Sequence, residues 1–309
     1  MNVWELLSVL GKTLIYIGML ATIGGMLMLW LGRENPVFIQ RLARRYMVPA
    51  ALTGLLASCL VFVALVGSVN QNGMAGMFDP VMGGILAEAQ PGSVLRWRLA
   101  GFLLTLLALL PLNISIELWR ASRVQPICFA LLGAATLCFA AGVGSQGHAA
   151  NVGLLAQFMA AAHFMAIAAW AGSLYPLYTS ALNQEIDANT AVLLAERFGQ
   201  VAWAILGVML VSGLVLIWQV AGGPGSLTDD THGRLLIVKL VLVVLMMALG
   251  ALHKFLIVPG LRTAVTQHNL ESILDSRLLL ARSIRSEALL ALLVLVLAAA
   301  MTSVTGPVH

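Results

Sequence analysis

The chain is poor in charge. Lys, Arg, Asp and Glu make up 10% of its 309 residues, against about 25% in an average soluble domain. With 60% hydrophobic residues and a mean hydropathy of +0.95, a water-facing surface cannot be built. A cytosolic enzyme, a nucleic-acid-binding domain and a disordered chain are excluded on these grounds. Cysteine is also scarce. The three present, Cys59, Cys128 and Cys138, lie inside apolar runs, so no disulfide framework is expected. There is no Walker loop, no dinucleotide glycine pattern, no His-Glu-x-x-His and no Cys-x-x-Cys. Nucleotide hydrolysis and the paired-cysteine chemistry of an ATP-driven metal pump are therefore not expected.

What the sequence does have is long apolar runs. A helix needs about 20 apolar residues to cross the hydrocarbon core. Eight runs qualify, at roughly 8–31, 47–68, 97–116, 126–143, 152–178, 200–221, 235–256 and 286–304. They predict an all-α polytopic protein of eight transmembrane helices. The first run is too long for a signal-peptide core, and Leu31-Gly32-Arg33-Glu34 follows it instead of a small-residue cleavage site. It is read as a retained helix.

Basic residues set the orientation. Twelve of the seventeen fall in one set of loops: Arg33, Arg41, Arg44, Arg45, Arg120, Arg123, Arg197, Lys254, Arg262, Arg277, Arg282 and Arg285. That side is expected to be cytoplasmic, with both termini periplasmic. The same bias accounts for the net charge of +4 without nucleic acid.

The halves resemble each other. Tyr16 in helix one matches His163 in helix five, each with a glycine nine residues on (Gly25, Gly172). Arg45-Tyr46 matches Arg197-Phe198, and Gly92 with Arg98 matches Gly233 with Lys239. The offsets are 147, 152 and 141 residues, in chain order. They predict a parallel four-plus-four helix repeat, with 1–144 as the first unit and 145–309 as the second, integrated into one membrane domain. Repeat-built transporters tend to bind cargo where the repeats meet.

An ionisable group inside a span is a functional candidate by default. His163 is the deepest, about 18 Å along a helix starting near Asn151 at 1.5 Å per residue. Met159 stands one turn before it, and Ile167 and Trp170 follow on the same face. Imidazole and thioether suit copper, the thioether favouring the cuprous ion. A neutral histidine bonded to a neighbouring helix fits the same spacing, and both readings stay open here.

His148 lies in an uncharged outer turn, where it either receives a metal or caps helix five. Met74, Met77 and Met82 in the outer loop 69–92 resemble a cuprous capture site. They equally resemble an amphipathic segment on the lipid surface. His232, with Asp229 and Asp230, sits in a second outer loop, as a further capture residue or in a solvated turn. Arg98 and Lys239 are basic on the outer side. Snorkelling to headgroups is one reading, and pairing with an anionic group, such as a haem propionate, is the other. Glu287, beside Arg282 and Arg285, reads as part of a local ion pair. His253 and Lys254 read as interfacial.

Several stretches together resemble the copper-resistance D (CopD) family. They are Gly147-His148-Ala149-Ala150, His163 followed by Trp170-Ala171-Gly172 and Leu174, Arg197-Phe198, Gly233 through Lys239, and Arg282 through Glu287. Gly92 through Arg98 looks like the matching first-half segment. The resemblance is strongest from about residue 145 to 300. It implies an inner-membrane protein of copper homeostasis that moves copper towards the cytoplasm, with a CopC-like periplasmic copper-binding protein as a separate partner. It also implies a copper role for His148 and His163. Some members carry a histidine where this chain has Tyr16.

The expectation is a copper permease, not an enzyme, with His163, Met159 and His148 as metal ligands. Met74, Met77, Met82 and His232 would serve outer capture, and Trp170, Arg98 and Lys239 would give polar support. Two alternatives remain. One is a haem b protein carrying electrons across the membrane, as electron carrier or metal reductase, and the other is an assembly scaffold without cargo.

Overall fold

The computed structural model describes residues 3–220 and 231–304, with the main chain alone at 148–150, 220, 231–236 and 300–304. The described residues are helical throughout, without strand. Helix α1 (Val3–Leu31) is followed by the short α2 (Pro36–Leu42), which runs through a π-turn (Ala43–Met47) into α3 (Val48–Asn70). A 3₁₀ turn (Met74–Phe78) and α4 (Pro80–Glu88) lead to α5 (Gln90–Ile114), α6 (Ile116–Arg120) and α7 (Val124–Gly144). The short α8 (Gly147–Val152) precedes α9 (Leu154–Leu182) and α10 (Ala188–Val220). Then come α11 (Thr231–Leu252), a second π-turn (His253–Ile257), α12 (Val258–Thr266) and α13 (Leu270–Val304).

Local chemistry sets the breaks. Asn35 accepts from Phe38 N (2.9 Å) ahead of Pro36. Asp79 caps α4 through Met82 N (2.7 Å) ahead of Pro80. Fixed φ at proline and a side-chain acceptor at the cap start a helix at low cost. Gly153, at φ 144, separates α8 from α9, a conformation open to glycine. The fifth long helix therefore begins at Leu154, not near Asn151, and His163 lies about 14 Å along it.

Seven stretches among the described residues are long and apolar enough to cross a membrane. The eighth expected run, 286–304, ends α13, partly beyond the described side chains. The bundle presents apolar side chains outward, including Leu56, Leu137, Leu214 and Trp218, as lipid contact requires. This is a polytopic all-α membrane protein.

Helices α1 and α9 cross backbone to backbone. A Cβ on Gly24 would lie 2.3 Å from the Gly172 carbonyl carbon, and one on Gly172 would lie 1.9 Å from the Leu20 carbonyl oxygen. Tyr46 donates to the Gly172 carbonyl (2.8 Å) across the same crossing. Small residues at such a point permit close helix approach. Around it, α1 packs on α3 and α7 while α9 packs on α10 and α13. Helices α7 and α13 each also touch the central helix of the other half.

Loop residues at one end of the bundle are tied together by the basic side chains. Arg41 pairs with Glu185, and Arg197 with Glu34 (3.2 Å) and the Leu31 carbonyl (2.8 Å). Arg44 donates to Asn113 O (2.8 Å) and Arg120 to Glu34 O (3.3 Å). Arg277 of α13 donates to the carbonyls of Ser180, Ala181, Asn183 and Ile186. It thereby satisfies carbonyls that the end of α9 leaves without helical partners.

Candidate metal centre

His163 projects from α9 towards α10. Its Nδ1 lies 3.0 Å from the Met209 carbonyl oxygen and 3.1 Å from Ser212 Oγ. A carbonyl only accepts, so Nδ1 carries the proton and donates. Ser212 in turn directs its hydroxyl to the Val208 carbonyl (2.5 Å). Nε2 is then the nitrogen with the lone pair. Histidines that bind metals are commonly held this way, with one N–H fixed by a carbonyl and the other nitrogen left as ligand. Gly213 makes room, since a Cβ there would come within 3.1 Å of the ring. Met159 is half-buried one turn away on the same helix. Lys239 of α11 is close enough for its charge to act on the imidazole.

Tyr16 packs its ring against Phe164, the neighbour of His163, at 5.6 Å between centroids. Arg98 is close enough to act electrostatically on Tyr16. Arg98 does not snorkel: it is 6% exposed and donates to Gln146 Oε1 (2.7 Å), and its Nε has no partner.

The other sequence candidates do not converge on His163 in what is described. His148 lies in α8 and His232 in the first turn of α11, and both side chains fall outside the described residues. Asp229 and Asp230 lie outside them altogether. Met77 packs over Gly67 beside Trp4, Met74 is exposed, and Met82 lies in α4. Phe78, Val81 and Ile85 are exposed around them, a surface that fits lipid. Among the described residues, no three His, Cys, Asp or Glu side chains are grouped to hold a metal.

Glu287 is not in a local ion pair with Arg282 and Arg285. It is 1% exposed, it accepts from the Trp170 indole N–H (2.6 Å), and its Oε2 lies 3.3 Å from His253 Nδ1. His253 Nε2 meets Ser283 Oγ at 2.7 Å. His253 is thus an internal partner rather than an interfacial residue, and Trp170 is more than bulk beside His163. Lys254 donates to the Gly199 carbonyl (2.9 Å) and lies 5.0 Å over the Trp203 ring. Sequence reasoning missed Met209 and Ser212 as well. The one signal was Ser212-Gly213 interrupting an apolar helix.

A polytopic helical bundle with polar groups held on its fifth long helix is a multi-pass membrane protein. The chain matches the family model Copper resistance protein D-like, N-terminal domain over residues 1–157, and Copper resistance protein D over 192–301. It belongs to the copper resistance protein D family. It is 29% identical over 234 residues to the inner membrane protein YebZ of Escherichia coli (strain K12), covering 74% of this chain and 77% of YebZ. It is also 29% identical over 168 residues to the copper transport protein CutJ of Bacillus subtilis (strain 168). That match covers 52% of this chain and only 28% of CutJ. No solved structure matches the chain. The protein is a multi-pass inner-membrane member of a copper-resistance family.

Proposed function

We propose that the chain is a copper carrier, not an enzyme, moving copper inward through a station formed by His163 and Met159. The observation that carries this is the His163 ring itself. Its N–H is fixed on the Met209 carbonyl and Ser212, which turns Nε2 into a ligand with its lone pair ready. The thioether of Met159 one turn away adds a soft donor. Lys239 repels a cation resting there, which favours passage over retention, as conduction requires. The basic end is cytoplasmic in this reading, by the positive-inside rule. A monovalent cation moving inward gains about 2.3 kcal/mol per 100 mV.

The packing of α1 with α9 about the Gly24–Gly172 crossing supports the four-plus-four repeat. So do the parallel pairs Arg98 with Tyr16 and Lys239 with His163. Eight spans, two periplasmic termini and delivery by a CopC-like periplasmic chain belong to the same proposal. Haem b gains no support: both ring nitrogens of His253 face other partners, and His268 is exposed beyond the end of α12. Uptake of cuprous ion by proteoliposomes holding wild type or His163→Ala tests the proposal. Wild type takes up copper and the variant does not; equal uptake removes His163 from the path.

A further inference from the structure

A cavity of about 460 Å³ lies beyond Trp170 on the side of the basic end, between α9, α10, α11, α12 and α13. Its walls are largely apolar, with Phe198, Trp203, Met247 and Ile284 among them. Glu287 and His253 line it, with Lys254, Glu196, Arg262 and Gln200 as its other polar side chains beside the two tryptophans. Gly250 lets the polar group assemble, since a Cβ there would sit 3.3 Å from the Trp170 ring and 4.0 Å from Glu287 Oε1. The main chain at His253 is a π-turn, a distortion frequent at functional sites.

The charges around Glu287 do not neutralise it. From α9 it meets the neutral Trp170 indole, and from the π-turn it meets His253. Lys254 is engaged with Gly199 and Trp203. Glu196 of α10 and Arg262 of α12 pair with each other (2.8 Å). On α13 itself, Arg282 and Arg285 are exposed. Among the described residues no Lys or Arg bonds Glu287. A buried carboxylate left uncompensated is strongly destabilising. With one proton on the Glu287–His253 pair the pair is neutral, as carboxylic acid beside imidazole or as carboxylate beside imidazolium. Intramembrane Glu and His chains of this kind mark proton relays. A hard carboxylate is a poor match for a cuprous ion, so the proton is the better occupant.

We propose that Glu287 and His253 together hold one exchangeable proton facing this cavity, and that the chain exchanges this proton for its cargo cation. This rests on the carrier reading above. Trp170, bonded to Glu287, lies seven residues and about 10 Å along α9 from His163. As a cation passes from His163 to the basic end, the pair gains an O–H or N–H bond to a proton from water in the cavity; as the next cation arrives at His163, that bond breaks and the proton leaves towards the outer side. A carboxylate with a neutral imidazole remains. No electrons are transferred, and one positive charge enters as one leaves.

The full chain is reconstituted in proteoliposomes with a pH dye inside, a clamped potential and cuprous ion outside. For one-to-one exchange, each pH unit of gradient shifts copper accumulation about tenfold. Wild type shows that shift with matching proton counterflow. Glu287→Gln, which keeps an acceptor for Trp170, binds copper but loses both, and Glu287→Asp retains them. A wild type indifferent to the gradient, or a Gln variant that still responds, overturns the exchange. Loss of bound copper in Glu287→Gln also overturns it, because the pair would then be a metal ligand. If the wild type moves no copper, the carrier reading fails and the proton site is judged alone by infrared pH titration of the purified chain. A protonation change that vanishes in both Glu287→Gln and His253→Gln upholds the site. A titration unaltered by them overturns it.

Discussion

The α1–α9 crossing makes a sharp prediction at Gly172. In Gly172→Ala the new Cβ lands 1.9 Å from the Leu20 carbonyl oxygen, where ordinary contact begins near 3.4 Å. The obstacle is backbone on both sides, so no rotamer change relieves it, and the helices must part by about 1.5 Å. Overpacking of this kind costs about 1–3 kcal/mol. The Tyr46 bond to the Gly172 carbonyl is strained by the same movement, adding up to about 1 kcal/mol. A total of about 1–4 kcal/mol in a chain of 309 residues corresponds to a midpoint lower by roughly 2–6 °C. Because α9 carries His163, the displacement also draws the ring away from Met209 and Ser212, so copper content falls with stability. The assay is thermal unfolding in detergent with metal analysis of the same samples. Gly133→Ala is the control, since nothing lies within 4 Å of a Cβ there. If Gly172→Ala melts and binds copper like Gly133→Ala, the close crossing is refuted.

Three further outcomes are expected. Lys239→Met removes the ammonium that acts on His163, so purified protein retains more copper while uptake slows; unchanged retention by metal analysis counts against the repulsion. Arg277→Leu strips four carbonyls, two at the end of α9 and two in the loop after it, of their shared donor and lowers stability by about 2–4 kcal/mol, read as a shortened half-life at elevated temperature. Asp187 lies just before α10 and is bonded by Thr190 N (2.8 Å) and Thr190 Oγ1 (2.6 Å). Burial raises its pKa, but the bonds from the Thr190 hydroxyl and the backbone N–H groups outweigh it and hold the carboxyl below 3.8. The part of its contribution that depends on the charge is therefore complete above about pH 4 and is lost as pH falls through the lowered value. Asp187→Ala costs about 0.5–2 kcal/mol at neutral pH and less in acid, where the protonated carboxyl still accepts from Thr190 N, as melting curves at the two pH values would show.

The spans were legible because length and apolarity are local properties: the runs at 47–68 and 126–143 fall within α3 flanked by its π-turn, and within α7. The break at Gly153 was less so, because an isolated glycine in an apolar run is tolerated within a helix and only its φ of 144 separates α8 from α9. His163 stood out as a rare polar group in an apolar helix. Its orientation did not, since Met209 and Ser212 lie 46 and 49 residues away and one of them acts through its backbone. Glu287 was misread for the opposite reason. Neighbouring arginines in sequence supplied a ready local partner, while its actual partner Trp170 is 117 residues distant. Charge next to charge along a helix does not decide which side faces the interior.

His163 is the proposed resting place of copper in this chain. The direct measurement is the copper content of purified wild type and His163→Ala loaded side by side with cuprous ion, with an optical spectrum of each. The account predicts copper in the wild type, its loss in the variant, and no haem absorption in either. Equal copper in the two proteins, or a haem spectrum that disappears with His163, would contradict it.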